Sequence, residues 1–189
     1  MASWPAIARR IRVPLGFVFA MLYIWLAQPT IVSLLLGAAL IVPGVIIRAL
    51  ASGHVRKNEQ LATTGPYAHT RNPLYLGSLI LAAGFAAAAR SWWIAAVITV
   101  FFAVIYLPVI RGEETFLRQK FPEFEEYEKQ VPRLVPRLSR KPADLGRSDS
   151  RPGPVAFSWD LYRKHREYNA LVGATAMMAA LVVKTFWVR

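Results

Sequence analysis

The chain has 189 residues, of which 55% are hydrophobic and 18% charged, and 23 Lys and Arg against 11 Asp and Glu give it a net charge of +12. That composition is too apolar for an ordinary soluble domain and places the chain in a bilayer. It contains no cysteine, which excludes disulfides, thiol catalysis and cysteine-ligated metals.

A membrane-spanning helix needs about 20 mostly apolar residues, and somewhat fewer when flanking side chains snorkel. Five stretches meet or approach that length: Val13 to Ala27, Thr30 to Ile47, Leu74 to Ala89, Trp92 to Ile110 and Ala170 to Val188. The first follows Arg9, Arg10 and Arg12, as the core of a signal peptide does. Trp25-Leu26-Ala27 is a poor small-residue cleavage site, however, and Gln28-Pro29 suits the tight turn of a helical hairpin. Arg90-Ser91 leaves equally little room between the third and fourth stretches, so two antiparallel hairpins are expected.

In a soluble protein such a charge would point to nucleic acid; here its distribution reports topology instead. Twenty of the 23 Lys and Arg precede Val13 or lie between Arg48 and Arg71 or between Arg111 and Arg166. The N-terminus and the long loops are therefore expected in the cytoplasm, with the C-terminus on the opposite side and no nucleic acid as partner.

From Arg111 to Gln130, Leu117, Phe121 and Phe124 share one helical face, and Pro122 ends that helix or starts another. Val131 to Ala156 carries five prolines and reads as mostly extended loop. Phe157 to Tyr168 reads as an interfacial helix leading into the last span. The expected fold is all-α, a polytopic integral membrane protein with about five transmembrane helices and cytoplasmic amphipathic helices. Three segments are expected: an N-terminal hairpin over 1–53, a central unit over 54–138, and a linker, interfacial helix and last span over 139–189. There is no internal repeat.

Two motifs stand out. Gly65-Pro66-Tyr67-Ala68-His69-Thr70-Arg71-Asn72-Pro73-Leu74-Tyr75-Leu76-Gly77 lies where a polar loop enters the third apolar stretch, and Glu113-Glu114-Thr115-Phe116-Leu117 follows the fourth. Asn72 and Pro73 suit an N-cap and a first helical position, but a helix start leaves Tyr67, Arg71, Tyr75 and the upstream Gly-Pro unexplained. Glu113 and Glu114 read as solvated acids beside Arg111, or as carboxylates at a membrane boundary that must find a partner. Gly77 and Gly84, with Ala83, Ala87 and Ala88, make a small-residue surface suited to close helix packing. His54, His69 and His165 are too widely spaced to suggest a metal site.

The paired motifs resemble the integral membrane methyltransferases, which group isoprenylcysteine carboxyl methyltransferases with phospholipid N-methyltransferases. That family's signature runs Gly-Pro-Tyr, then Arg-His-Pro-x-Tyr-x-Gly, then Glu-Glu-x-x-Leu, and the resemblance extends from about His54 to Pro136. Asn72 replaces the family His; it keeps a donor and an acceptor but cannot become cationic. The resemblance implies S-adenosylmethionine as cofactor and S-adenosylhomocysteine as product. Glu113 is then the first choice to accept from the cofactor's α-ammonium and Glu114 the second. Gln60, Leu61, Tyr67, Asn72, Pro73 and Tyr75 are implied as further contacts, and Lys57 after them.

Carboxyl methyltransferases of this family carry an Arg one helical turn before the Glu pair. Val109 stands there, and Arg111, on another face, is the nearest cation for positioning a substrate. An ammonium acceptor must lose a proton before methylation, and His54 is the candidate base. The expected activity is in-line methyl transfer to a membrane-embedded, lipid-like acceptor, either a lipidic carboxylate or a phospholipid amine, at the cytoplasmic face. The alternative is a non-catalytic membrane scaffold or transporter subunit whose basic loops bind anionic lipid. Either way the partners are the bilayer and a lipid or lipidated small molecule.

Overall fold

The computed structural model describes residues 18–56, 59–137 and 156–187, which are helical with connecting turns and hold no strand. Helix α1 covers 18–26, α2 is Ile31–His54 and α3 is Pro73–Ala89, with a short 3-10 turn at Gly65–Ala68 between α2 and α3. The long helix α4, Trp92–Lys120, is followed by α5, Phe124–Gln130, then α6, Trp159–Lys164, and α7, Tyr168–Trp187. Helices α2, α4 and α7 are long and apolar enough to cross a membrane, at 24, 29 and 20 residues. Helix α3 is shorter at 17 residues, and the first expected span begins outside the described residues. The chain is thus an all-α, polytopic integral membrane protein. Lys57, the Pro-rich linker over 138–155 and the basic N-terminal segment lie outside the described residues.

Helix α2 starts on a reciprocal cap: Thr30 Oγ1 accepts from Ser33 N at 3.2 Å, and Ser33 Oγ accepts from Thr30 N at 2.8 Å. Its pairing with α3 follows from glycines seven residues apart on each helix. A Cβ at Gly44 would lie 2.9 Å from Gly77 O, and one at Gly84 would lie 2.9 Å from Gly37 O, so the backbones meet without side chains between them. The small-residue surface of α3 is a packing face. Ser33 Oγ also donates to Ala88 O at 3.1 Å, fastening the ends of the pair.

The sequence places the end of the second span at Ile47, but the helix continues to His54. Ala49, Leu50 and Ala51 are good helix formers, and the backbone first turns extended at Val55 (φ −93°, ψ 123°). Arg48 therefore belongs to a helix face and not to a loop. Lys184 lies in the last turn of α7. Its ammonium does not reach for water but donates to Ile24 O, Trp25 O and Ala27 O at 2.6, 2.9 and 2.7 Å, satisfying carbonyls at the end of α1.

Helix α4 contains a π-helical turn at Phe102–Tyr106, where Leu107 N donates to Phe102 O five residues back. Pro108 follows, and because it has no N–H to give to the preceding turn, a widened turn there is physically apt. The helix ends at Phe121, extended at φ −122°, ψ 105°, as the residue before Pro122 is biased to be. The expected helix over Phe157 to Tyr168 is shorter than its pattern suggests. Arg166 adopts φ 54° and separates α6 from α7.

Candidate functional site

A cavity of about 360 Å³ opens where the ends of α2, α3 and α4 meet the 3-10 turn and α5. Gln60, Leu61, Tyr67, Asn72, Pro73, Tyr75, Glu113 and Glu114 all line it, so the motifs separated in sequence come together around one space. Its volume is that of a small-molecule site.

The loop that carries the first motif is built locally. Gly65 has φ 59°, a conformation that favours glycine, and a Cβ there would also strike the His54 ring at 2.6 Å. Pro66 then starts the 3-10 turn that buries Tyr67. The segment after α5 closes over this loop: Arg71 N donates to Pro132 O at 2.9 Å, Thr70 Oγ1 to Arg133 O at 3.0 Å, and Arg137 N to His69 O at 2.9 Å. Tyr127 OH donates to Tyr67 O at 2.6 Å, while Phe124, Tyr127 and Val131 pack with Leu61, Leu117 and Phe121. Burial pushes the Tyr67 and Tyr127 hydroxyls above their usual range, so both stay neutral.

Asn72 occupies the N-cap position of α3, yet its side chain makes no capping hydrogen bond. Its amide nitrogen donates to Glu114 Oε1 and to Arg133 O, both at 3.1 Å. Glu114 is 3% exposed. It also accepts from Arg133 Nε at 2.9 Å and lies 3.5 Å from Arg71 Nη2. This carboxylate is saturated by the chain and ties α3, α4 and the closing segment into one unit. Arg71 continues the network to Glu128 at 2.8 Å, and Arg118 donates to the same carboxylate. The hydrogen bond from Arg118 is the main reason that Glu128 titrates below the usual carboxylate range, with Arg71 adding to it.

Glu113 behaves oppositely. It is exposed to the cavity, and Tyr75 OH donates to its Oε2 at 2.8 Å. The Tyr75 ring meets Tyr106, on the π turn of α4, edge to face at 5.8 Å. Two further cavity-lining groups, Gln60 Nε2 and Arg71 Nε, are buried and have no hydrogen-bond partner among the described residues. Buried donors are rarely left so, and both suit a ligand that brings acceptors. The lining therefore offers a carboxylate for a cation, two N–H donors for a carboxylate or hydroxyls, and Tyr67, Leu61 and Phe116 as apolar faces.

Two expected residues stand elsewhere. His54 is not among the cavity-lining residues; its Nδ1 is 2.7 Å from Leu50 O, and its ring packs near Phe157 at 5.9 Å. Arg111 is exposed on α4 and likewise absent from the lining. Sequence reading missed Arg48, Ser78, Tyr106 and Glu167, which do line it. A lone charge closing an apolar span, such as Arg48, was the available signal. Among the described residues, no three His, Asp or Glu side chains gather as a metal-ligand set.

A family model described as phospholipid methyltransferase matches residues 15–123, reaching further towards the N-terminus than the two motifs do. Over 116 residues, 61% of the chain, the sequence is 40% identical to the cobalt-zinc-cadmium resistance protein CzcN of Cupriavidus metallidurans, covering 53% of that protein. It is 37% identical over 116 residues to the nickel-cobalt-cadmium resistance protein NccN of Alcaligenes xylosoxydans xylosoxydans, covering 54% of it. The chain thus spans about half the length of the curated relatives it matches. No solved structure matches.

Proposed function

Since the chain belongs to the phospholipid methyltransferase family, we propose that it is an S-adenosylmethionine-dependent methyltransferase acting on a lipid-like acceptor that enters from the bilayer. The observation that carries this reading is the convergence of both motifs on one cavity that holds an accessible carboxylate and two buried donors with no partner among the described residues. That donor set suits an amino-acid end, with its ammonium and carboxylate, joined to a flat nucleoside.

When bound, S-adenosylmethionine supplies an electrophilic methyl group on a sulfonium. Glu113 accepts from the α-ammonium, and Tyr75 holds the carboxylate in place for it. Gln60 and Arg71 provide donors for the opposite charge, while Tyr67 and Leu61 cover the nucleoside. Methyl transfer is an in-line displacement that needs no covalent help, so the chain's share is positioning and exclusion of water. Phe124, Tyr127 and Val131, with the segment to Arg137, form the cover that keeps the cavity dry. Both a lipidic carboxylate and a phospholipid amine suit this arrangement, with the cavity at the cytoplasmic face.

The two relatives are named for resistance to metals. Methyl transfer is nevertheless the better reading of this cavity, because one accessible carboxylate beside N–H donors suits an ammonium and a carboxylate better than a metal cation. Calorimetric titration of the purified protein in detergent with S-adenosylhomocysteine tests the proposal. Saturable binding that weakens in Glu113→Gln is expected; absence of binding in both detergent and lipid would favour a non-catalytic scaffold.

A further inference from the structure

A second cavity, of about 520 Å³, lies between the apolar helices α1, α3, α4 and α7 and is walled by apolar residues that include Phe19, Leu81, Phe85, Ile98 and Met177. Three residues line both spaces: Arg48, Ser78 and Tyr106. Arg48 therefore stands at the junction between a polar chamber and an apolar groove.

Each nitrogen of its guanidinium donates to the chain. Nε donates to Glu167 Oε2 at 3.1 Å, Nη2 donates to Glu167 Oε1 and Oε2 at 3.0 and 2.8 Å, and Nη1 donates to Ser78 Oγ. The carboxylate comes from the turn after Arg166, beyond the residues that match the family model. Neither side chain is sealed in protein, at 24% and 15% exposed, and both line the polar cavity. An arginine fork binds a carboxylate or a phosphate oxygen pair with the same geometry. Glu167 thus fills a place that a ligand anion can take. Exchanging one anion for another spares Arg48 the cost of standing unpaired at a membrane boundary.

Resting on the methyltransferase reading above, we propose that Arg48 selects the acceptor by binding an anionic group on it, a phosphate or a carboxylate, while the acceptor's hydrocarbon chain lies in the apolar groove. Glu167 holds the guanidinium in its place until the acceptor displaces it. Tyr106 touches Tyr75, whose hydroxyl is bonded to Glu113, so an anion on Arg48 lies next to the wall of the cofactor site. Lipids without an anionic group offer Arg48 nothing in exchange for Glu167.

The test uses the full chain in a non-ionic detergent, with dilauroyl phosphatidic acid, lauric acid and dilauroylglycerol as probes. Retained lipid is read by native mass spectrometry, and S-adenosylhomocysteine affinity is measured alongside. We expect at least one anionic probe to be retained at least about tenfold better than the neutral one, the scale of a charge-assisted hydrogen bond. Retention of phosphatidic acid alone identifies a phosphate, and of laurate alone a carboxylate. Arg48→Gln should abolish the preference, and Glu167→Gln should strengthen it several-fold, because the competing carboxylate is gone. The double variant Arg48→Gln/Glu167→Gln keeps an amide pair in place of the ion pair, so it should unfold cooperatively near the parent's melting temperature but show no preference. Equal retention of neutral and anionic probes, a preference that survives Arg48→Gln or the double variant, or no gain in Glu167→Gln would overturn the proposal. An Arg48-dependent preference in a parent that binds no S-adenosylhomocysteine would instead overturn the methyltransferase reading and leave the anion site standing.

Discussion

The Tyr75 hydroxyl and the Glu113 carboxylate meet at 2.8 Å across the cavity wall, joining the first turn of α3 to α4 through residues 38 positions apart. Among the described residues no cation pairs with Glu113, so its charge is available to a ligand. Glu113→Gln should weaken S-adenosylhomocysteine binding by about 1.5 to 3 kcal/mol, the range for a hydrogen bond to a charged group, and leave the melting temperature near that of the parent. An unchanged dissociation constant in calorimetry would remove Glu113 from the site.

Glu114 should behave differently although it is the next residue. Its buried carboxylate faces Arg71, Arg133 and Asn72, and Glu114→Gln leaves two cations without it. We expect a loss of stability of about 3 kcal/mol, the low end for a broken buried pair, because Arg71 keeps Glu128 and Arg133 is half exposed. Thermal unfolding in detergent checks this; a variant as stable as Glu113→Gln would contradict it.

Asn72→Ser separates a helix cap from a bridge. Serine caps as well as asparagine, so a capping role predicts no change. The structure instead has the Asn72 amide donating to Glu114 and to Arg133 O, which a hydroxyl is too short to reproduce. Stability should fall by about 1 to 3 kcal/mol, the cost of a buried acceptor left short of a donor, even without ligand. Unfolding curves that superimpose on the parent's would restore the cap.

Much of this arrangement is legible in the sequence, because the residues involved sit in two dense motifs whose types are hard to explain by helix ends alone. Tyr75 and Glu113 belong to that legible part. Hydropathy, however, cuts spans by composition: it stopped the second at Ile47 and so put Arg48 in a loop, when helix propensity carries α2 to His54. Glu167 was out of reach for another reason. Nothing local in its sequence says that a turn at Arg166 will bring it back to a helix 119 residues earlier. His54 failed in the opposite direction, since proximity to the motif in sequence does not carry its ring into the cavity. Lys184 showed its apolar neighbours but not the α1 carbonyls it would meet.

Acid should loosen the cover of the site through Glu128. Its folded-state pKa is depressed, chiefly by the hydrogen bond from Arg118, below the ordinary value of 4.5. The stabilisation it gives is fully present above that ordinary value and is lost as pH falls through the lower, folded one. The melting temperature of the parent should therefore fall more steeply than that of Glu128→Gln as pH is lowered below about 4.5, the window set by that depression. Parallel curves for the two proteins would show that Glu128 contributes nothing there.

The central claim is tested most directly by methyl transfer itself. Purified protein in liposomes of total lipid extract is given S-adenosylmethionine labelled on its methyl group, and the organic phase is examined for label. The account predicts label in a lipid-soluble species with the parent and a marked loss with Glu113→Gln; base-labile label identifies an ester, and stable label in a headgroup identifies N-methylation. An organic phase with no label above the protein-free control, from a parent that unfolds cooperatively, would contradict it.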